Sequence, residues 1–206
     1  MEMRDILGDM EKERTPQEFL DWVESTIAEL DKYPCEEERF IKPKDSHKEA
    51  ISKKFEEEIL PAALFIKNYP EYLAMATLQY QKGNQHYEYV VKDHKNIKFI
   101  EITAPAFNKD SHDVDKELFE KGYAFRYKWG KRSDFAINTI KKALSNKVSN
   151  LYGKGYLLII YIDDSGFSSL EVQEDFNKQC EEIVWDKGNF FDVFVVGKYN
   201  ECFRKL

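Results

Sequence analysis

The sequence predicts a mixed α/β fold in which helices flank a central mixed sheet. Three observations predict it: helical periodicity after N-terminal capping signals, short β-branched and aromatic runs between turn residues, and an entirely apolar run at Tyr156–Ile162. With 206 residues, of which 15% are aromatic and 33% charged, the chain is long enough to bury a core. We expect an N-terminal helical extension with a connector over residues 1–45, and a main domain over residues 46–206.

Two helical regions are predicted before residue 70. Thr15 and Glu18 form a capping box, and apolar residues at helical spacing continue from there to Leu30. A second capping box at residues 46–49 opens a helix that reaches about residue 60. Pro61 then either kinks this helix or begins a new one, because proline lacks the backbone N–H that a helix interior requires.

Alternation between strand and helix patterns follows residue 70. Turn-forming residues and changes of hydrophobic period mark the element ends. In order, the sequence predicts strands at Leu73–Gln81, His86–Lys92 and Ile97–Thr103, a helix at Asp134–Tyr152, a strand at Tyr156–Asp163, a helix at Leu170–Trp185, a strand at Phe190–Val196 and an edge strand at Cys202–Leu206.

Charge and cysteine content narrow the function classes. The net charge is −7, but the middle of the chain is basic while both ends are acidic, so a local basic face could meet phosphate. Cys35, Cys180 and Cys202 lie far apart without metal-binding spacing, which favours reduced thiols and a cytoplasmic location. The N-terminus has no signal-peptide core and the longest apolar run is too short to cross a bilayer, so no membrane partner is expected.

Glu101 is the first candidate site residue, because it interrupts the apolar strand pattern NIKFIEITAP. If the preceding turn is centred on His94-Lys95, Glu88 lies opposite Glu101 with Cβ atoms roughly 5 Å apart. Two facing carboxylates repel each other unless a positive charge lies between them, and a divalent cation suits convergent carboxylate oxygens. The alternative is that both glutamates are exposed at a sheet edge near Lys92 or Lys98.

Two further candidates lie on predicted helices. Lys147 falls in the middle of the apolar stripe of the helix Asp134–Tyr152, where it must either extend to solvent or meet an acid such as Glu88 or Glu101. Glu58 lies at the margin of an apolar helix face, so it is either a third oxygen ligand or a stripe-edge glutamate.

The order helix, three strands, helix, strand resembles the PD-(D/E)xK phosphodiesterase superfamily, which has the restriction-endonuclease-like fold. The segments HYEYVVKDHKNIKFIEIT and AINTIKKALSNKVSNLYGKGYLLIIYID carry the resemblance, which covers roughly residues 46–200. It implies that Glu88 and Glu101 are the metal-binding acids and that Glu58 is the helix carboxylate of some members. Thr103 stands where the superfamily has a lysine, and the resemblance implies that Lys147 replaces that lysine from the following helix.

The function implied by this resemblance is a metal-dependent nuclease that hydrolyses phosphodiesters with Mg²⁺ or Mn²⁺. The resemblance implies an active site of Glu88, Glu101, Thr103 and Lys147. Before the long helix, the segment from Tyr123 alternates aromatic residues with cations, a pattern that suits phosphates and unpaired bases but also a core with solvated cations. Nucleic acid is the expected partner, DNA being favoured over RNA, with contacts from Arg126, Lys128, Lys131 and Arg132.

The alternative is a catalytically inactive nuclease-like module that binds nucleic acid or a protein partner. Thr103 in the lysine position, Glu88 in place of the usual aspartate and the acidic total favour it. The N-terminal amphipathic helix would then serve as a protein contact or homodimer interface. No GxSxG, HExxH, P-loop or GxGxxG pattern supports another class of hydrolase.

Overall fold

The predicted mixed α/β class is confirmed, because the described chain contains helices and six strands in parallel and antiparallel pairs. The structure is a computed structural model that describes residues 9–30, 54–83, 86–104, 132–148, 152–162, 164, 167, 169–186, 188, 190–199 and 202–206, except the side chains of residues 30, 132 and 135. The chain divides into two compact units, Met1–Glu101 and Ile102–Leu206. The boundary predicted at residues 45–46 lies outside the described residues.

The first unit combines helices with an antiparallel three-stranded meander. Its elements are α1 (Pro16–Leu30), a π-helical turn (Phe55–Ile59), α2 (Leu60–Asn68), a 3₁₀ turn (Pro70–Tyr72), β1 (Thr77–Tyr80), β2 (Tyr89–Lys92) and β3 (Phe99–Thr103), whose last two residues belong to the second unit.

The second unit combines two helices with a parallel pair of strands and an antiparallel edge strand. Its elements are α3 (Arg132–Val148), β4 (Tyr156–Ile162), α4 (Leu170–Glu181), β5 (Phe190–Gly197) and β6 (Phe203–Lys205).

Helix α1 begins with the predicted capping box. The Thr15 amide donates to the Glu18 carboxylate at 2.8 Å, and the Glu18 amide donates to the Thr15 hydroxyl at 3.3 Å. Phe19 and Val23 are buried, and the Phe19 ring meets the Tyr89 ring edge-on at 5.8 Å. The apolar face that the sequence offers for a protein contact therefore packs within the first unit, with Ile27 37% exposed at its margin.

The chain around Pro61 contains a feature that the sequence did not predict. Leu60 donates its amide to the Phe55 carbonyl five residues back, which closes a π-helical rather than an α-helical turn. Pro61 then lies in the first turn of α2, where its missing N–H is tolerated. Backbone angles are helical at Lys54, Ile59 and Leu60, so helical conformation continues through the π-helical turn into α2, and Pro61 does not begin a separate helix.

The meander β1–β2–β3 has the predicted order with shorter strands. β1 begins at Thr77 rather than Leu73, because residues 73–76 form a turn in which the Ala76 amide donates to the Leu73 carbonyl at 3.0 Å. Between β2 and β3, Asp93 adopts a positive φ of 62°, and the His94 Nδ1 atom accepts the amides of Asn96 and Ile97 at 3.2 and 3.1 Å. The imidazole thus closes the loop that sets the register of the two strands.

The second unit has its core on the parallel pair. All seven residues of β4 are buried, and β4 pairs with β5 from Leu157 opposite Asp192 to Ile162 opposite Gly197. On α3 the predicted stripe is buried at Ile140 and Leu144, although the described helix ends at Val148 rather than Tyr152. No helix in the described parts of the chain has the length and apolar character needed to cross a membrane.

Candidate active site on the second and third strands

Glu101 is one of the few buried charged side chains in the described chain. It is 3% exposed, its Oε2 atom is buried, and its neighbours Ile100 and Ile102 are also buried. Because side chains alternate along a strand, Glu101 shares one face of β3 with Phe99 and Thr103, while the isoleucines occupy the other face. A carboxylate in this position requires compensating positive charge or hydrogen bonds.

The predicted β2–β3 register is confirmed at the two residue pairs that the ladder contains. Tyr89 lies opposite Ile100, and Val90 lies opposite Phe99. The ladder ends there, because Glu88 forms a bend and donates its amide to the Ile100 carbonyl at 2.9 Å. Two consecutive residues, Glu88 and Tyr89, are thus matched to Ile100, which is the arrangement of a β-bulge.

The bulge changes the expected position of Glu88 relative to Glu101. A regular ladder would place the two residues directly opposite each other, but the extra residue interrupts that match. The Tyr87 ring lies 4.5 Å from the Phe99 ring, and Phe99 shares the strand face of Glu101. The negative charge of Glu88 helps to raise the pKa of Tyr89, whose side chain lies on the opposite face. The position of Glu88 therefore differs from that in a regular ladder, where it would face Glu101 directly.

Glu58 is held by two tyrosines of the meander. The Tyr80 hydroxyl donates to the Glu58 carboxylate, and Lys54 Nζ lies 3.4 Å from the same hydroxyl. The Tyr89 hydroxyl donates to the Glu58 backbone carbonyl at 3.2 Å. Burial, followed by the hydrogen bond to Glu58, raises the pKa of Tyr80 well above its ordinary value. Tyr80 therefore remains a neutral hydrogen-bond donor at physiological pH.

Strand geometry separates Glu58 from Glu101. Tyr89 and its register partner Ile100 project to the same face, and this face meets the turn that carries Glu58. Glu101 follows Ile100 directly and therefore projects to the other face. The structure thus connects Glu58 to Tyr80 and Tyr89, rather than to the predicted metal site at Glu101.

Thr103 and Lys147 belong to the second unit. Thr103 is half-buried at the end of β3, two residues beyond Glu101 and on the same face of that strand. Lys147 is half-buried in the last turn of α3, whereas Lys141 and Lys142 are exposed. Of the predicted nucleic-acid contacts, Arg132 is the first residue of α3, and Arg126, Lys128 and Lys131 lie outside the described residues.

The metal-binding capacity of the predicted site is limited. Within the ranges that the structure describes, no three His, Cys, Asp or Glu side chains are grouped closely enough to hold a metal ion. Mg²⁺, however, is commonly held by one or two carboxylates, with water and phosphate completing its coordination. A site with Glu88 and Glu101 as its two protein ligands would therefore leave the rest of the Mg²⁺ coordination to water and phosphate.

Sequence reasoning missed Asp164, which is fully buried just after β4. Its Oδ1 atom accepts the Tyr199 amide at 2.7 Å, and a Cβ atom on Gly197 would lie 1.9 Å from its Oδ2 atom. A pair of aspartates directly after an apolar strand was the available signal. The hydrogen bond to backbone gives this carboxylate an architectural role at the ends of β4 and β5.

The two described cysteines do not supply a nucleophile. Burial raises the pKa of the Cys180 thiol to about 12 and raises that of Cys202 further above its usual range. Both groups are therefore neutral thiols at physiological pH and have little nucleophilic reactivity.

A cleft of about 340 Å³ lies in the second unit between α3 and the chain that follows α4. Its lining includes Lys141, Val148 and Trp185, together with Val184, which is 99% exposed. None of the predicted site residues lines it.

Comparison with known proteins gave no matching family model, no matching curated protein and no matching solved structure.

Proposed function

We propose that the chain is a metal-dependent phosphodiesterase of the PD-(D/E)xK type, acting on nucleic acid with DNA favoured over RNA. The burial of Glu101 within β3 is the observation that carries this proposal. A buried carboxylate costs several kcal/mol unless charge or hydrogen bonds compensate it, and a divalent cation is a strong source of compensation. Glu88 is the second candidate ligand, because it lies one residue before β2 beside the end of the β2–β3 ladder.

The chain's own residues have distinct roles in this proposal. When bound, Mg²⁺ or Mn²⁺ would polarise a phosphate oxygen and lower the pKa of a bound water molecule. Glu88 and Glu101 would supply carboxylate oxygens to the cation. Thr103, on the strand face of Glu101, would orient water through its hydroxyl. The resemblance assigns to Lys147 the role of the lysine that stabilises the negative charge developing on the phosphate. Glu58 is left out, because Tyr80 and Tyr89 hold it on the other face of the meander.

A second candidate function is a non-catalytic nuclease-like module that binds nucleic acid or a protein partner. Two observations favour it. The bulge at Glu88 interrupts the direct pairing with Glu101, and the described residues contain no group of three or more metal-ligating side chains. This candidate uses the same fold without the hydrolytic step.

The two functions differ in their response to metal ions, which thermal unfolding measures without knowledge of a substrate. An ion that binds only the folded state raises its unfolding temperature by mass action. We expect Mn²⁺ and Mg²⁺ to raise the midpoint of the wild type relative to EDTA, and Glu101→Gln to abolish this rise. Glu24→Gln, which changes an exposed glutamate of α1, is the matched control and should keep the full response.

Cleavage assays on single- and double-stranded DNA and on RNA complete the test. Metal-dependent cleavage by the wild type and its loss in Glu101→Gln support the phosphodiesterase. An unchanged midpoint with millimolar metal in every variant, together with no cleavage, contradicts it. Binding of nucleic acid without cleavage then identifies the non-catalytic module.

A further inference from the structure

The cleft between α3 and the chain after α4 has two walls of different structure. One wall is a single face of α3, on which Lys141, Leu144, Ser145 and Val148 follow one another at spacings of three, one and three residues. The other wall is the tail segment, residues 183–186, which leaves α4 without regular secondary structure. A helix face and a nearly straight piece of chain therefore enclose the cleft.

The tail segment runs along α3 in the direction of the helix. At the start of α3, the Gln179 side chain donates to the Asp134 Oδ1 atom at 3.1 Å. At the end of α3, a Cβ atom on Gly188 would lie 3.7 Å from the Val148 Cγ1 atom. The chain between Gln179 and Gly188 thus passes from the first turn of α3 to its last. Lys141 lies about 10 Å along the helix axis from Val148, which gives the cleft two distinct ends.

Apolar side chains line most of the cleft. Leu144 on the helix wall is 3% exposed, whereas Val184 on the tail segment is 99% exposed and Trp185 is half-buried. A concave site of about 340 Å³ with mainly apolar walls and a few polar groups has the usual form of a small-molecule site. An apolar ligand would remove the surface of Val184 and Trp185 from water.

Three hydrogen-bond donors on the lining are available to a ligand. They are the Lys141 ammonium, the Ser145 hydroxyl and the Trp185 indole N–H, and within the described ranges of the chain none of them makes a hydrogen bond, an ion pair or a ring contact. The acidic residue of the lining, Asp186, uses its Oδ1 atom to accept the Gly188 amide at 2.9 Å. The cleft therefore offers donors and a positive charge to the acceptor atoms of a ligand.

We propose that this cleft binds a small monocarboxylate with a flat apolar body, with the carboxylate against Lys141 and the body beside Trp185. A flat aromatic body suits the face or edge of an indole ring. A single negative charge matches Lys141 at one end, because Asp186 near the other end would repel a second anionic group. The cleft lies in the second unit and uses neither Glu88 nor Glu101, so it is independent of the proposed phosphodiesterase.

Two probes that differ only in charge test the proposal. 2-Naphthoate and its uncharged analogue 2-naphthamide share one flat body, and the NMR signal of the Trp185 indole N–H reports their binding to the full-length chain. The signals of Trp22 and Trp129 are internal references, and Trp185→Leu assigns the signal. Lys141→Met removes the ammonium group. Lys142→Met is the matched control, because it makes the same charge change at an exposed neighbour that does not line the cleft.

We expect 2-naphthoate to shift the Trp185 signal saturably and 2-naphthamide to bind about fivefold more weakly, the size of one exposed ion pair. Lys141→Met should abolish this difference between the probes, whereas Lys142→Met should keep it. No saturable shift at millimolar 2-naphthoate overturns the proposal, as does a preference for the anion that persists in Lys141→Met. Equal affinity of the wild type for both probes also overturns it and identifies the cleft as an apolar contact surface for a protein partner.

Discussion

Glu101 in the first unit and Asp164 in the second are both buried carboxylates, but their surroundings differ. Asp164 follows the end of a strand, accepts a backbone amide from Tyr199, and fits against a glycine that leaves room for it. Glu101 lies inside a strand between two isoleucines and opposite a bulged partner strand. Chain architecture explains the first arrangement, whereas the proposed function rests on the second. A buried acid therefore has to be interpreted together with the groups that surround it.

The largest expected effect comes from filling the space that Asp164 uses. In Gly197→Ala the new Cβ atom would lie 1.9 Å from the Asp164 Oδ2 atom, so the carboxylate or the strand must move. We expect a loss of about 2–4 kcal/mol in the free energy of unfolding, measured by urea denaturation. Gly153→Ala is the control, because its Cβ atom would meet nothing closer than Tyr156 at 3.9 Å.

Shortening the acid should relieve that strain. The double variant Gly197→Ala with Asp164→Ala should lose less stability than the sum of the losses in the two single variants, because the clash requires both side chains. Strict additivity would contradict the architectural role given to this contact. Neither substitution should change a response to metal ions if the candidate site is at Glu101.

A smaller effect tests whether Glu58 belongs with Glu101. Tyr80→Phe removes the hydroxyl that donates to the Glu58 carboxylate and should cost about 1–2 kcal/mol of stability. Because Glu58 and Glu101 lie on opposite faces of the meander, the metal-induced rise in unfolding temperature should remain. Tyr199→Phe is the control at an exposed tyrosine. If Tyr80→Phe abolishes the metal-induced rise in unfolding temperature, Glu58 belongs to the candidate site together with Glu101.

The smallest effect concerns pH and the thiols of the second unit. Burial raises the Cys180 pKa from 9.0 to about 12, so between these values the unfolded chain loses the thiol proton while the folded chain keeps it. The contribution of this group to stability is complete below pH 9 and declines as pH rises towards 12. Wild type should therefore lose stability more steeply than Cys180→Ala in this range. If the free energy of unfolding from urea denaturation falls equally with pH in the wild type and in Cys180→Ala, the Cys180 thiol is not shielded from water in the folded chain.

Local features of the fold could be predicted because neighbouring residues determine them. The capping box of Thr15 and Glu18 and the register of Tyr89 with Ile100 both follow from short segments whose geometry has few alternatives. The bulge at Glu88 could not be predicted, because alternation of residue types does not reveal an inserted residue. The seven-residue apolar run predicted β4 with only one residue too many at its end, because burial on both faces leaves no polar residue within the strand.

The candidate site was less predictable than the fold. The Glu58–Tyr80 hydrogen bond joins residues 22 positions apart, and the Asp164–Tyr199 bond joins residues 35 positions apart. Such pairs depend on how elements pack, which hydrophobic period alone does not specify. The strand pattern left open whether Glu101 is buried or exposed at a sheet edge, and the separation of Glu58 from it required the actual face of each strand.

The π-helical turn at Phe55–Ile59 has a consequence for changes in chain length. A π-helical turn holds one residue more than an α-helical turn, so the chain stores a single-residue excess at this point. Deleting one of these residues can be absorbed by rewinding the turn to α-helix, with α2 left in place. The same deletion inside α1 has no such reserve, because every residue before it would rotate by about 100° around the helix axis. Natural or engineered variants one residue shorter should therefore be tolerated more readily here than in the uninterrupted helices.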